Sequence, residues 1–310
     1  MREIAPSYYK NFKCLGSKCK HNCCIGWEID IDPDTLKKYE KAEGVFKKRF
    51  ESSISKDGEN AHFILDKEER CPFLNKDGLC DIIIEYGESH LCEICSAHPR
   101  FKNFFSDRVE IGLGLSCEEA CRIILTSEEP FILEEIKKDP SCVDNLECND
   151  EIIKRRDEIL WLFDDDTIVF FNEVIDRTWR ESASIPPYFL SDWADILMEL
   201  EIMSDEWRNV LKNAMECGVP LTIDDYLNEW KNLYQYFIYR YFANSDFDYA
   251  PRIKMGFCLL SSCLITTLCA YLATSYDDVI EITRLYSQEI EYSTENVRFL
   301  MDMIKEYNEK

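Results

Sequence analysis

The chain has 310 residues, 16 of them cysteines, and a formal net charge of −24. This length supports one large or two modest domains with their own apolar cores. The acidic surface argues against nucleic acid or an anionic membrane as a partner, but it attracts a basic partner or a lysine-bearing substrate. No apolar signal-peptide stretch occurs between Met1 and Phe12, and we therefore expect a cytoplasmic protein.

Ten of the cysteines fall between Cys14 and Cys121. Their spacing is Cys14-x4-Cys19-x3-Cys23-Cys24, then Cys71-x8-Cys80-x11-Cys92-x2-Cys95, then Cys117 and Cys121. Thiolates are soft ligands that favour zinc, Cu(I) and iron–sulfur clusters. In a reducing cytosol thiols persist, whereas disulfide frameworks belong mainly to small secreted domains. The pattern therefore predicts a metal-binding module in the front third of the chain, not a disulfide framework.

Local signals suggest how this segment folds. The run Asn75-Lys76-Asp77-Gly78 is typical of a turn, and it predicts a hairpin that brings Cys71 and Cys80 together. Ser116-x-x-Glu119 resembles a capping box, which would place Cys117 in the first turn of a helix. There the unpaired N–H groups and the helix dipole favour a thiolate. We expect short strands near 61–65 and 108–114.

The identity of the metal stays open at this point. Zinc sites usually show paired hooks of two cysteines separated by about two to four residues. Here only one pair, Cys92 and Cys95, has just two intervening residues, and the steps of nine and twelve residues from Cys71 to Cys80 and from Cys80 to Cys92 are unusual for zinc fingers. The spacing favours an iron–sulfur cluster over zinc, which remains the alternative. One cluster, two clusters and two structural zinc ions are all compatible with the number of cysteines.

The rear of the chain has a different character. Residues 131–310 carry a balance of −19, against −5 for residues 1–130. The stretch Pro130–Asp150 is predicted to be a connection or a peripheral helix with a loop. From Glu151 onward the pattern is helical, with apolar residues between 159 and 175 at intervals of three and four. Further helices are predicted near 188–202, 204–217, 223–243, 251–275, 277–289 and 293–308, with a capping box at Thr222-x-x-Asp225.

Residues 255–276 carry no charge and are long enough to span a membrane. Their serine and threonine content and the amphipathic helices around them favour a buried core helix instead. The predicted fold is mainly α. It consists of a small irregular α+β cysteine-cluster domain at 1–130, packed on an acidic all-helical domain at 131–310.

Three segments resemble the flagellin lysine-N-methylase family, which is related to cysteine-cluster proteins described as zinc- or iron-chelating. They are FKCLGSKCKHNCCIGWEIDID at 12–32, RCPFLNKDGLCDIIIEYGESHLCEICSAHPR at 70–100 and LSCEEACR at 115–122. His98 and Glu118 depart from the family pattern, but neither removes a shared cysteine.

The resemblance implies a protein-lysine N-methyltransferase that acts on flagellin or another lysine-bearing protein. It also implies S-adenosylmethionine as the methyl donor and a cysteine-bound [4Fe–4S] cluster. By position, the candidate ligands are Cys14, Cys19, Cys23, Cys24, Cys71, Cys80, Cys92, Cys95 and Cys117. Trp27, beside the first cysteines, is a candidate for lining the cofactor site or for shielding the cluster from water. Arg100 could hold a carboxylate, either of the methyl donor or of a neighbouring acidic residue. No catalytic residue is identified.

The residues also leave alternatives to this function. Gly112-x-Gly114 is a poor candidate for a glycine-rich cofactor turn, and no Cys-x3-Cys-x2-Cys triplet occurs. Tyr226, Tyr234, Tyr236, Tyr239 and Tyr241 could wall a sulfonium site, although helix packing is the commoner reason for such spacing. The main alternative is a non-catalytic zinc- or iron–sulfur-binding module that docks a basic partner. A third hypothesis is an electron-transfer or metal-delivery protein.

Overall fold

The computed structural model describes residues 1–58, 60–137, 151–163, 182–186, 190–216 and 226–310. The chain divides into two compact units. Residues 13–100 form one, which we call the cysteine unit; residues 1–12 and 101–310 form the other, which we call the helical unit. The domain boundary predicted near residue 130 does not coincide with these limits and stays a prediction.

The secondary structure is mainly helical, as the sequence predicts. The front elements are β1 (Arg2–Pro6), α1 (Pro33–Glu40), α2 (Gly44–Ser53), β2 (Ile54–Asp57), β3 (Asn60–Phe63), α3 (Asp81–Tyr86), α4 (Glu93–Ala97), β4 (Arg100–Phe104), β5 (Arg108–Leu113), α5 (Glu118–Leu125) and β6 (Leu133–Lys137). The rear helices are α6 (Glu151–Leu162), α7 (Leu190–Met198), α8 (Asp205–Glu216), α9 (Leu227–Phe237), α10 (Pro251–Leu272), α11 (Tyr276–Tyr286) and α12 (Thr294–Glu309). Two π-helical turns, π1 (Ile238–Phe242) and π2 (Ser287–Glu291), continue α9 and α11.

The cysteine unit has a small aromatic core of its own. Tyr39 stacks on Phe50 with ring centroids 4.2 Å apart, and Phe50 packs against Phe73 at 4.8 Å. Asp32 caps α1, and its second carboxylate oxygen accepts a 2.9 Å hydrogen bond from the N–H of Glu93 at the start of α4. This carboxylate therefore connects the first helix of the unit to the helix that carries Cys95.

The helical unit contains a sheet with the strand order β4-β5-β1-β6 among the described residues. Strand β1 pairs in parallel with β5 and antiparallel with β6. The strands expected near 61–65 and 108–114 are confirmed as β3 and β5. Strand β6 corrects the prediction of a connection or helix from residue 130. The short acidic run Leu133–Lys137 forms a strand because β1 offers it a pairing edge, which no local pattern reveals.

Gly112 lies inside β5 and not in a cofactor-binding turn. A Cβ atom at this position would collide with the ring of Phe101 on the neighbouring strand β4. A glycine within a strand often marks such a close approach. The close approach of Phe101 therefore accounts for the glycine at position 112, which is not part of a glycine-rich phosphate-binding loop.

Helix α10 lies in the core of the helical unit, where it contacts α9, α11 and α12. By length and composition it could cross a membrane, but 72% of its most apolar window is buried inside the protein. This burial confirms the predicted core helix. Cys258 and Cys269 are buried in it, as expected of small apolar residues.

The described helices follow the predictions, and one predicted cap does not. Helix α6 begins at Glu151, where the helical pattern was predicted to begin, and most of the apolar stretch at 159–175 lies outside the described residues. The capping box at 222–225 also lies outside them. The capping box at Ser116 is wrong, because Cys117 is the N-cap of α5 and no side chain caps this helix. Glu119 instead forms an ion pair with Arg122 at 2.6 Å.

Candidate functional site

Five of the nine predicted cysteine ligands come together in the cysteine unit. They are Cys24, Cys71, Cys80, Cys92 and Cys95, and we call them the five-thiol group. Each thiol lies close enough to at least two of the others for their charges to interact. None of the five is in a disulfide.

Backbone hydrogen bonds hold these cysteines in place. The N–H of Cys71 donates to the carbonyl of Cys24 at 2.8 Å, which joins the first cysteine segment to the second. The N–H of Asn75 then donates to the carbonyl of Leu79 at 2.9 Å, closing the predicted turn that returns Cys80 towards Cys71. Cys80 and Cys92 are the N-cap residues of α3 and α4. The predicted approach of Cys71 and Cys80 is confirmed.

The thiol pKa values reflect this crowding. Burial raises the pKa of Cys71 to about 11, with smaller contributions from Cys80 and Cys92. The hydrogen bond between the thiols of Cys92 and Cys95 lowers the pKa of Cys92 and raises that of Cys95. Several buried thiolates cannot coexist at neutral pH without a cation to offset their repulsion. The group is therefore poised for a positively charged centre.

The chemistry of the donor set fits a soft metal or an iron–sulfur cluster. The Sγ atoms of Cys92 and Cys95 lie 3.4 Å apart, slightly closer than the ~3.8 Å expected for two sulfurs on one tetrahedral zinc ion. Within the described residues, however, no three His, Cys, Asp or Glu side chains are already arranged around an ion. The five thiols thus fit a soft metal in donor type, but among the described residues their positions do not form a metal site.

The other predicted ligands lie outside the five-thiol group. Cys14 is exposed, and its sulfur accepts a 3.4 Å hydrogen bond from the N–H of Gly16. Cys19 donates to the carbonyl of His21 at 3.1 Å. Cys23 forms a side-chain hydrogen bond with Cys24, a member of the five-thiol group, and this hydrogen bond lowers the pKa of Cys23 to about 7. Cys117 belongs to the helical unit.

The predicted cofactor-binding residues Trp27 and Arg100 are both half-buried in the cysteine unit. Arg100 lies near His98, whose pKa falls to about 4 because of burial and the neighbouring guanidinium. His98 is therefore neutral at physiological pH. The roles of Trp27 and Arg100 stay predictions.

A second cluster of functional groups lies in the helical unit, where π1 and π2 meet. Glu291 is fully buried, and its Oε2 atom forms a 3.1 Å ion pair with Arg240. The same oxygen accepts hydrogen bonds from the hydroxyls of Tyr236 at 2.8 Å and Tyr241 at 3.0 Å. Burial, reinforced by the Glu291 charge, raises the pKa of both tyrosines, so their hydroxyls stay protonated as donors. Two π-helical turns that meet at one ion pair are typical of a functional site.

Aromatic rings surround the guanidinium of Arg240. Its central carbon lies 4.7 Å from the ring centroid of Phe101, 5.3 Å from Tyr241, 5.8 Å from Tyr292 and 6.0 Å from Tyr236. We call Arg240, Glu291 and these four aromatic residues the Arg240 cluster. Tyr292 is 37% exposed, so the cluster reaches the protein surface.

The helical unit contains a second buried arginine–glutamate ion pair, with which the pair of Arg240 and Glu291 can be compared. Arg156 forms a two-pronged ion pair with Glu110 at 2.5 and 2.9 Å, and both side chains are fully buried. Both Glu110 oxygens are occupied there. By contrast, Oε1 of Glu291 is buried without a hydrogen-bond partner. Of these two ion pairs, only the one between Arg240 and Glu291 has a carboxylate oxygen without a hydrogen-bond partner.

A family model described as the FliB lysine N-methylase C-terminal domain matches residues 110–310. This match covers more than half of the chain. The chain belongs to the FliB lysine N-methylase family. The resemblance noted from the cysteine segments is thereby confirmed. The matched region contains Arg240 and Glu291, whereas the five-thiol group precedes it.

Curated relatives agree with the FliB assignment. The Lysine-N-methylase of Salmonella choleraesuis (strain SC-B67) is 31% identical, and that of Salmonella typhimurium (strain LT2) is 30% identical, each over 152 residues. These alignments cover 44% of this chain and 36% of each relative, about a third of their length. The Flagellar biosynthetic protein FliU of Salmonella muenchen is 30% identical over 146 residues, 44% of this chain and 86% of FliU. No solved structure matches.

Sequence reasoning missed the Arg240 cluster in this FliB-family chain. It noted Tyr236 and Tyr241 as possible aromatic walls but favoured packing, and it did not consider Arg240 or Glu291. A signal was present in the run YQYFIYRYF at 234–242, where one arginine interrupts a continuous aromatic stretch. A cation that is embedded in an apolar run needs a buried anionic partner. No spacing rule identifies Glu291 as that partner.

Proposed function

We propose that this protein is a protein-lysine N-methyltransferase that uses S-adenosylmethionine and acts on flagellin or a similar lysine-bearing protein. Membership of the FliB lysine N-methylase family is the observation that carries this proposal. The names Lysine-N-methylase and Flagellar biosynthetic protein FliU of the relatives support both the reaction and the substrate. The proposed location is the cytoplasm, where S-adenosylmethionine and unassembled flagellin would both be available.

The proposed reaction is a direct displacement. The lone pair of the neutral lysine Nζ forms a bond to the methyl carbon, and the bond from this carbon to sulfur breaks. The electron pair goes to sulfur, which leaves as the thioether S-adenosylhomocysteine, and the methylated amine loses a proton to solvent. The protein must therefore hold a lysine as its neutral amine beside a sulfonium, in a site that excludes water.

The five-thiol group is the proposed core of a [4Fe–4S] site. Its donor type and its need for a compensating cation support this proposal. Cys14, Cys19, Cys23 and Cys117 remain candidate ligands, and Trp27 and Arg100 remain candidates for contacting S-adenosylmethionine. A bound cluster would supply electron-transfer capacity, whereas zinc would supply a structural or Lewis-acid centre.

The charge of the chain suits a lysine-bearing protein substrate. With a formal charge of −24, the surface attracts basic segments at low ionic strength, and salt screens this attraction. The same field disfavours nucleic acid, which is not a proposed partner.

The test is methyl transfer by protein purified without oxygen. Iron, sulfide and zinc are measured first, and the protein is then incubated with methyl-labelled S-adenosylmethionine and flagellin. Label in methyl-lysine, and none in flagellin whose lysines are replaced by arginine, supports the proposal. Protein that is loaded with iron and sulfide yet transfers no methyl group to any lysine contradicts it.

A non-catalytic zinc module that docks a basic partner is the second candidate. The 3.4 Å separation of the Cys92 and Cys95 sulfurs favours it, because two ligands of one ion lie closer together than ligands of different irons in a cluster. Stoichiometric zinc, no visible absorption and no methyl transfer together would select this function.

A further inference from the structure

The Arg240 cluster holds a buried carboxylate oxygen with no partner. Glu291 Oε2 takes the ion pair and both tyrosine hydroxyls, while Oε1 is inaccessible to water and accepts no hydrogen bond. Buried polar atoms in folded proteins are nearly always paired, and an exception requires an explanation. A ligand that donates a hydrogen bond to this oxygen is such an explanation.

The surroundings of this oxygen select the charge of that ligand. Four aromatic rings lie within 6.0 Å of the Arg240 guanidinium carbon. These rings already engage the guanidinium, so the group that would attract an ammonium is the free carboxylate oxygen of Glu291. An anion, by contrast, would meet the Glu291 carboxylate and the ring faces.

The cluster reaches the surface on the side of Tyr292. Tyr236 and Tyr241 are almost completely buried, whereas Tyr292 is 37% exposed and the Arg240 side chain is 12% exposed. The alkyl part of a lysine that enters here would pass along the face of Tyr292. Long amine side chains bury their methylene groups against such apolar surfaces while the charged end reaches a polar partner.

We propose that the Arg240 cluster is the binding site for the lysine amine, with Glu291 Oε1 accepting a hydrogen bond from its nitrogen. This inference rests on the proposed function for the identity of the amine, but the predicted recognition of an ammonium group does not depend on it. Glu291 and Tyr292 are its binding residues, and Arg240 is a positioning residue that holds Glu291 in place.

Arg240 has a second consequence for a bound lysine. A guanidinium lowers the pKa of a neighbouring amine, so Arg240 partly offsets the preference of the Glu291 carboxylate for the ammonium form. The bound ammonium must still lose a proton before its nitrogen attacks a methyl group. Other titratable groups near Glu291 are Tyr236, Tyr241, Tyr286, Tyr292 and Cys258, and Cys117 lies near Tyr292. Burial raises the pKa of Tyr236, Tyr241 and Cys258, so these three are neutral at physiological pH and leave Arg240 as the cation facing the amine.

The test compares two variants with a matched control in the full-length protein. Glu291→Gln removes the charge of the acceptor but keeps its shape, and Tyr292→Leu removes the exposed ring while leaving the ion pair intact. Glu110→Gln is the control, because it alters an equally buried arginine–glutamate pair whose oxygens are both occupied. Binding of n-butylammonium and of neutral n-butanol is measured by chemical-shift titration.

We expect n-butylammonium to bind on the order of tenfold or more weakly to Glu291→Gln than to the unaltered protein or to Glu110→Gln. Binding of n-butanol should change little in any variant. Tyr292→Leu should also weaken the ammonium complex. If Glu291→Gln does not fold, the affinity of Tyr292→Leu for n-butylammonium tests the proposal by itself. Absent ammonium binding, or equal binding to the unaltered protein and the variants, would overturn the inference.

Steady-state kinetics distinguish the two possible sources of the ammonium group, which are the substrate lysine and the amino group of S-adenosylmethionine. If the site binds lysine, Glu291→Gln raises the KM for a lysine peptide and leaves the affinity for S-adenosylmethionine unchanged. A loss confined to S-adenosylmethionine assigns the site to the amino group of the methyl donor and contradicts the proposal. Ammonium binding without methyl transfer by the unaltered protein would instead refute the proposed function and leave the ammonium site standing.

Discussion

The backbone N–H of Cys71 donates a hydrogen bond to the carbonyl of Cys24, 2.8 Å away. This bond joins two cysteine segments that are far apart in the chain. It brings Cys24 into the same group as Cys80, Cys92 and Cys95. The metal content of the protein should therefore depend on cysteines from both segments together.

Serine in place of Cys71 or Cys92 should remove most of the bound metal, because the hydroxyl is a poor ligand for a soft ion. Cys258→Ser is the control, since Cys258 is buried in α10 in the other unit. Metal analysis of protein purified without oxygen provides the measurement. Full metal content in both the Cys71→Ser and the Cys92→Ser variant would show that the five-thiol group is not the metal-binding site.

The Arg156–Glu110 pair should behave as a buried ion pair without a ligand role. Replacing Arg156 with Met leaves the buried Glu110 with Arg108 as its remaining partner, 2.8 Å from Oε1, and should lower the free energy of unfolding by about 3–5 kcal/mol. A triple variant, Arg156→Met with Glu110→Leu and Arg108→Met, should recover most of this loss because it removes all three buried charges. Urea denaturation measures both. A triple variant as unstable as the single one would contradict this account.

Two serines before helices should differ in their contribution to stability. Ser275 caps α11 in a complete capping box with Asp278, so Ser275→Ala should cost about 1 kcal/mol. Ser116 does not cap α5, and its hydroxyl interacts with Tyr292 instead. Ser116→Ala should therefore cost less free energy of unfolding than Ser275→Ala, because it removes no cap. Equal losses in the free energy of unfolding of Ser275→Ala and Ser116→Ala would instead support the capping box predicted at Ser116.

Asp278 should make the stability of the protein depend on acid pH. Its carboxylate accepts four 2.9 Å hydrogen bonds from Thr274 and Ser275, and the backbone N–H of Thr274 is the largest cause of its lowered pKa. A lowered pKa stabilises the fold above the unfolded value of about 3.9, and this contribution disappears as the pH falls through the folded value. Asp278→Asn should therefore destabilise the protein at neutral pH but much less in strong acid. Denaturation across that range checks the trend, and a constant difference would contradict it.

Gly112 should tolerate no side chain, because the Phe101 ring fills the space that a Cβ would occupy. We expect Gly112→Ala to cost about 1–3 kcal/mol through overpacking. Adding Phe101→Leu should offset part of this loss. Gly256→Ala is the control, since its Cβ would lie 3.1 Å from Ile304 Cγ2, the end of a flexible side chain. Equal losses at the two glycines would refute the steric explanation.

The sequence predicted the elements whose signals are local. Helices α7 to α12 repeat apolar residues at helical spacing, and the turn at Asn75 has residues that favour it regardless of what surrounds it. Strand β6 was missed because its partner β1 is distant in the chain. The capping box at Ser116 fails for a local reason, since Arg122 on the next turn pairs with Glu119.

For the site, the sequence by itself predicted a metal-binding module in the front third of the chain, because thiols are soft donors and many of them lie close together there. It did not distinguish the cysteines that converge from those that do not. That distinction came from the tertiary structure, through the Cys71–Cys24 hydrogen bond and the caps of α3 and α4. Arg240 and Glu291 were brought together only by the folding of α9 and α11 against α10. An ion pair between distant helices leaves no periodic trace in a sequence, since its energy arises from burial that the whole fold creates.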